Sequence, residues 1–141
     1  MDWLVRVLKP YIDLTFPTIS DRNHTAICGS SMGGLMALYS AVSYQNVFSK
    51  AACLSPSMWV NPSNVIKMVQ GCDISREMLI YMDYGDEEMS NHAENPGILL
   101  ETERILRDRG AEVTLQIIPG GKHCEASWEK RIPDFMKFLE L

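Results

Sequence analysis

Apolar residues along this chain follow two patterns that alternate from one end to the other. Four short runs are continuous and β-compatible, as expected of strands covered on both faces: His24-Thr25-Ala26-Ile27-Cys28, Lys50-Ala51-Ala52-Cys53-Leu54, Met78-Leu79-Ile80-Tyr81-Met82-Asp83-Tyr84 and Val113-Thr114-Leu115-Gln116-Ile117-Ile118. Between and after them, apolar residues recur at helical spacing. Leu35, Met36, Leu38, Tyr39 and Val42 predict a helix ending near Tyr44, and Asn61-Pro62-Ser63 starts a short one. Ile98, Leu99, Ile105 and Leu106 line one face of residues 96–109, with Gly110 as a C-terminal stop, and Trp128, Ile132, Phe135, Phe138 and Leu139 mark a closing helix. Residues 2–13 read as an amphipathic helix with Leu4, Val7, Leu8, Tyr11 and Ile12 on one face, which Pro10 should kink or end. The order α-β-α-β-α-β-α-β-α predicts an α/β fold, a parallel sheet of about four strands with helices on both faces. In such sheets the site lies at the carboxyl ends of the strands.

Composition narrows the function classes. The 141 residues are expected to form one domain at most, 1–141, and 13 Lys and Arg against 18 Asp and Glu give a net charge of -5. That balance offers no electrostatic case for nucleic acid or an anionic membrane surface. No apolar run approaches a membrane span and residues 1–6 lack the features of a secretory leader, so the expected location is the cytoplasm. Cys28, Cys53, Cys72 and Cys124 match neither zinc spacing nor a secreted disulfide framework, and Cys28 and Cys53 are expected as buried free thiols.

The chemistry gathers at the strand ends. Gly29-Ser30-Ser31-Met32-Gly33-Gly34 contains GxSxG between an apolar strand and an apolar helix, the context of a strained turn that presents a nucleophilic serine. Ser31 is the candidate nucleophile, Gly29 and Gly33 are expected to give the turn its room, and the backbone N–H of Met32 is a candidate oxyanion donor. A serine hydroxyl is a weak nucleophile until an imidazole takes its proton, and the imidazole needs a carboxylate on its other nitrogen. His123, in the Gly-rich loop after the fourth strand, is the candidate base; His24 opens a strand and reads as structural, and His92 lies in a polar loop. Asp83, Asp86, Glu87 and Glu88 compete for the acid, and loop geometry favours Glu88, because a carboxylate a few residues beyond the strand end can turn back toward the histidine. The order Ser, acid, His along the chain is that of the α/β-hydrolases.

These residues resemble the esterase family of α/β-hydrolases that includes ferric-enterobactin esterases, S-formylglutathione hydrolases, feruloyl and acetylxylan esterases and mycolyltransferases. The resemblance covers nearly the whole chain: Leu8-Lys9-Pro10-Tyr11-Ile12-Asp13 is similar to the helix before the nucleophile strand, Gly29 to Gly34 to the family elbow, and Leu54-Ser55-Pro56-Ser57-Met58-Trp59 to the next strand and loop. In Tyr81 to Glu88 the family acid stands three residues after the glycine, which is Glu88, and Gly120-Gly121-Lys122-His123 followed by Trp128 resembles the histidine segment. Family members carry further strands, and the loop holding a second oxyanion donor, ahead of the part matched here. The resemblance therefore implies the C-terminal half of such a fold, with the nucleophile strand at a sheet edge.

The expected function is a serine carboxylic-ester hydrolase working through an acyl-enzyme, with Ser31 attacking, Glu88 orienting His123, and no metal or organic cofactor. Trp59, Met58 and Met89 are candidate pocket walls for a small ester substrate. Two alternatives stand beside it: a weak or inactive truncated hydrolase serving as a subunit or interaction module, and an acyltransferase with the same triad. An uncovered edge strand invites pairing, so a homo-oligomer is expected through that edge or through residues 2–13.

Overall fold

The computed structural model describes residues 1–74, 77–88 and 93–141. Its four strands, β1 (Ala26–Ser30), β2 (Lys50–Leu54), β3 (Leu79–Gly85) and β4 (Glu112–Ile118), form one sheet in chain order, β1-β2-β3-β4. Every pair is parallel, with Ser30 opposite Leu54, Leu54 opposite Asp83, and Gly85 opposite Ile118. The carboxyl ends of all four strands thus stand on one side of the molecule, and the loops that leave them face a common space.

Parallel neighbours need crossovers, and three helices supply them: α2 (Met32–Ser43), α3 (Pro62–Gly71) and α4 (Asn95–Asp108). Alternation along the central strands divides the core. Ala51 and Cys53 of β2 and Ile80, Met82 and Tyr84 of β3 pack with Leu38 of α2, Val69 of α3 and Leu99 and Leu106 of α4. Ala52, Leu54 and Tyr81 point to the other face and meet Trp128, Phe135 and Leu139 of the C-terminal segment. A side chain of this size contributes roughly 1.5–3 kcal/mol when fully buried, so the two clusters fix β2 and β3 from both sides.

Four expectations need correction. The closing helix is interrupted: α5 (Glu125–Trp128) and α6 (Ile132–Phe138) are separated by a 3-10 turn over Glu129–Arg131, with Pro133 in the first turn of α6, where a missing N–H costs nothing. Of the two outcomes expected at Pro10, a kink or an end, the second does not occur. The turn before it widens to a π-helical segment, Leu4–Leu8, in which the Lys9 N–H reaches the Leu4 carbonyl, and α1 (Lys9–Thr15) continues through the proline. His24 does not open a strand but lies in the 3-10 turn Arg22–His24, its Nδ1 2.9 Å from Asp21. Cys28 is exposed, because β1 is a sheet edge; Cys53, on interior β2, is buried, and burial pushes its thiol pKa up.

The N-terminal helix buries none of its residues completely. Val7 and Tyr11 of its expected apolar face are exposed, as are Trp3, Leu14 (89%), Phe16 and Ile19 nearby. Among the described residues no helix is long and apolar enough to cross a membrane.

Candidate active site

Ser31 joins β1 to α2 with φ 56 and ψ -122, a backbone conformation that non-glycine residues adopt only when the surroundings impose it. Three hydrogen bonds impose it here. The Ser31 N–H donates to the Leu54 carbonyl at 2.9 Å, extending the β1-β2 ladder by one residue, while its own carbonyl accepts from the N–H groups of Leu35 and Ser57, each at 3.1 Å. Close approach does the rest: a Cβ on Gly29 would stand 2.5 Å from the backbone of Gly33, and one on Gly34 3.0 Å from the Leu54 carbonyl. Gly33, expected to make room, has nothing within 4 Å of an added Cβ. The tight positions are Gly29 and Gly34. Met32 is the first residue of α2, where backbone N–H groups lack partners within the helix.

The His123 ring bridges two of the other expected residues. Its Nε2 is 2.8 Å from Ser31 Oγ and its Nδ1 is 3.0 Å from Glu88 Oε2. An ionised carboxylate only accepts, so in the neutral imidazole the Nδ1 carries the proton and the Nε2 lone pair faces the serine hydroxyl. Two indoles hold the imidazole edge-on, Trp128 at 4.9 Å and Trp59 at 5.7 Å between ring centroids. The His123 side chain remains 32% exposed, whereas that of Glu88 is 1% exposed.

The second oxygen of Glu88 is saturated. Oε1 accepts from the Gly85 N–H at 2.9 Å, the Ser55 hydroxyl at 2.6 Å and Arg131 Nη2 at 3.3 Å. Arg131, 2% exposed, also donates to Asp83 Oδ1 at 2.8 Å. Ser55, itself at φ 43, connects the cluster: its Oγ donates once, to Glu88, and accepts from Trp128 Nε1 and Arg131 Nη1, each at 2.9 Å. Burial pushes the Asp83 carboxyl up against the opposing pull of Arg131. The loops bearing Glu88 and His123 meet without room for a side chain between them, since a Cβ on Gly85 would lie 2.3 Å from the Gly121 backbone.

The four competing acids thus separate. Asp83 is turned to Arg131 and the Ser55 N–H, Asp86 accepts from the Gly120 N–H at 2.7 Å, and Glu87 pairs with Lys122 at 3.4 Å, leaving Glu88 beside His123. Of the proposed walls, Trp59 is half-buried beside His123, but Met58 is wholly buried in the core beneath the loop and lines nothing. Met89 and His92 lie outside the described residues. Sequence reasoning missed Ser55, Ser57 and Arg131. The two serines carried a usable signal, being polar residues just past the end of a buried strand; a single arginine in a polar helical segment carried none.

A model of the family described as "Putative esterase" matches residues 2–139. The chain belongs to this esterase family. It is 21% identical over 140 residues to the siderophore enterobactin esterase of Emericella nidulans, covering 89% of this chain and 46% of that protein. Among solved structures it is similar to a ferulic acid esterase, at TM-score 0.79 and 20% identity, covering 98% of this chain and 59% of that one. It is also similar to the enterochelin esterase of Shigella flexneri, at TM-score 0.80 and 18% identity, covering 96% and 35%. These structural likenesses establish the α/β-hydrolase-like fold. The chain spans less than half the length of two curated relatives that it matches, 41% and 46%.

Proposed function

We propose that this esterase-family chain is a serine carboxylic-ester hydrolase working through an acyl-enzyme. The observation that carries the reading is the unbroken line from Glu88 Oε2 through His123 to Ser31 Oγ, with gaps of 3.0 and 2.8 Å, ending on a serine held at positive φ. In the first half-reaction Ser31 Oγ bonds to the ester carbonyl carbon as its proton passes to His123 Nε2. Glu88 keeps the ring in the required tautomer and stabilises its cationic form, and the Met32 N–H donates to the oxyanion. His123 then protonates the departing alcohol. Water, deprotonated by the same nitrogen, attacks the acyl carbon; the bond from that carbon to Ser31 Oγ then breaks, His123 returns the proton to Ser31 Oγ, and the acid leaves. Trp59, against the imidazole, is the wall on which an acyl or alcohol group rests. The names of the relatives direct the choice of esters to siderophore esters and esters of ferulic acid.

Incubation with a fluorophosphonate probe, followed by intact mass, tests the nucleophile. One adduct is expected on the wild-type chain and none on Ser31→Ala, which should also lose hydrolysis of short p-nitrophenyl esters by about 10⁴-fold or more. An adduct that survives Ser31→Ala would overturn the assignment.

A further inference from the structure

Ser31 has a second hydroxyl beside it. Ser57, in the loop after β2, is 1% exposed, and its Oγ lies 3.2 Å from Ser31 Oγ. The loop is pinned at this point: the Ser57 N–H donates to the Ser31 carbonyl at 3.1 Å, and the preceding Pro56 carbonyl accepts from the Met58 N–H at 2.8 Å and from buried Asn95 Nδ2 at 3.2 Å. Proton counting fixes the direction of the contact between the hydroxyls. Ser31 has one hydroxyl proton, and the Nε2 lone pair of His123, 2.8 Å away, takes it. The hydrogen in the contact with Ser57 must then come from Ser57, which donates to a lone pair of Ser31 Oγ.

Resting on the nucleophile reading above, we propose that Ser57 is a further catalytic residue, a fixed hydroxyl donor to the nucleophilic oxygen itself. As His123 withdraws the Ser31 proton, negative charge develops on Ser31 Oγ before its bond to the acyl carbon is complete. A donor already aimed at that oxygen strengthens as the charge grows, without reorganising. The same oxygen is the leaving group when the acyl-enzyme breaks down, so Ser57 assists both half-reactions. Its own proton is never transferred: the Ser31 proton goes to His123 and then to the departing alcohol. Ser57 differs from an oxyanion-hole donor, which addresses the carbonyl oxygen of the substrate.

The test is the rate of fluorophosphonate labelling, resolved into probe affinity and the chemical step, in wild type, Ser31→Ala and Ser57→Ala. Here Ser31 Oγ bonds to phosphorus, fluoride leaves, and the Ser31 proton passes to His123. The chemical step of Ser57→Ala is expected to fall about 10- to 100-fold, the range for a hydrogen bond to a charged atom, with probe affinity and melting temperature little changed. Ser57→Cys, which keeps a weak donor in place, should fall between the two and carries the comparison if the alanine variant fails to fold. A chemical step in the variants within about twofold of wild type, well below what such a bond supplies, overturns the role of Ser57 and leaves the nucleophile assignment standing. No labelling of wild type overturns both.

Discussion

Glu88 divides its oxygens between two tasks, and the division explains why one acid in a run of acids is set apart. Oε2 faces His123, while Oε1 is occupied by three donors from Gly85, Ser55 and Arg131. With one oxygen saturated and the side chain buried, the carboxylate has a single orientation to offer the imidazole. Asp86, two residues earlier, spends its carboxylate on a loop N–H. Glu88→Gln is therefore expected to lower ester hydrolysis by about 10³- to 10⁴-fold, because the amide allows the wrong tautomer. Asp86→Asn keeps an oxygen for the Gly120 N–H and should stay within a few-fold of wild type. Steady-state rates on one p-nitrophenyl ester compare them directly, and equal losses would refute the division of roles. The sequence carried this choice only as far as loop length could; the selection among four acids was made by the close approach of Gly85 to Gly121 and by a buried arginine from the far end of the chain.

The junction of β1 and α2 is governed by how near a strand and a helix can come. GxSxG invites the view that its two glycines serve alike, yet only Gly29 faces backbone at a distance no Cβ could occupy, while Gly33 faces open space. Gly29→Ala must push α2 away from β1 and should destabilise the chain by about 1–3 kcal/mol or more, taking fluorophosphonate labelling with it. Gly33→Ala replaces the poorer helix former at an uncrowded position and should leave stability unchanged or raise it by up to about 1 kcal/mol. Urea denaturation midpoints for the two variants make the comparison, and identical shifts would show that the close approach is not the constraint. Elements were mostly legible because their apolar periods are clear. The exceptions at Pro10 and Pro133 have a common cause: proline removes one donor, and whether the helix ends, widens or restarts depends on what packs around it.

At the scale of the whole molecule, the two edges of the sheet differ. β4 exposes Glu112, Gln116 and Ile117, and the charge on Glu112 discourages pairing, whereas β1 is an edge of Ala26, Ile27, Cys28, Gly29 and Ser30 without any charge. The N-terminal segment also exposes Trp3, Tyr11, Leu14 and Phe16. We propose that a second copy pairs at the β1 edge, since two such edges meet antiparallel about a twofold axis. Sedimentation at micromolar concentration should give a dimer or larger species, and a monodisperse monomer would sink the proposal.

The sequence by itself determined the alternation of strand and helix, the parallel order, and the placing of Ser31, Glu88 and His123 at strand ends, because periodicity and glycine chemistry are local. The tertiary structure alone decided which acid meets the imidazole, that Gly34 is tight where Gly33 is not, that Cys28 is exposed, and that Ser55, Ser57 and Arg131 surround the site. Each of these depends on which distant segments share a few ångströms of space, and no single stretch of the chain contains that information.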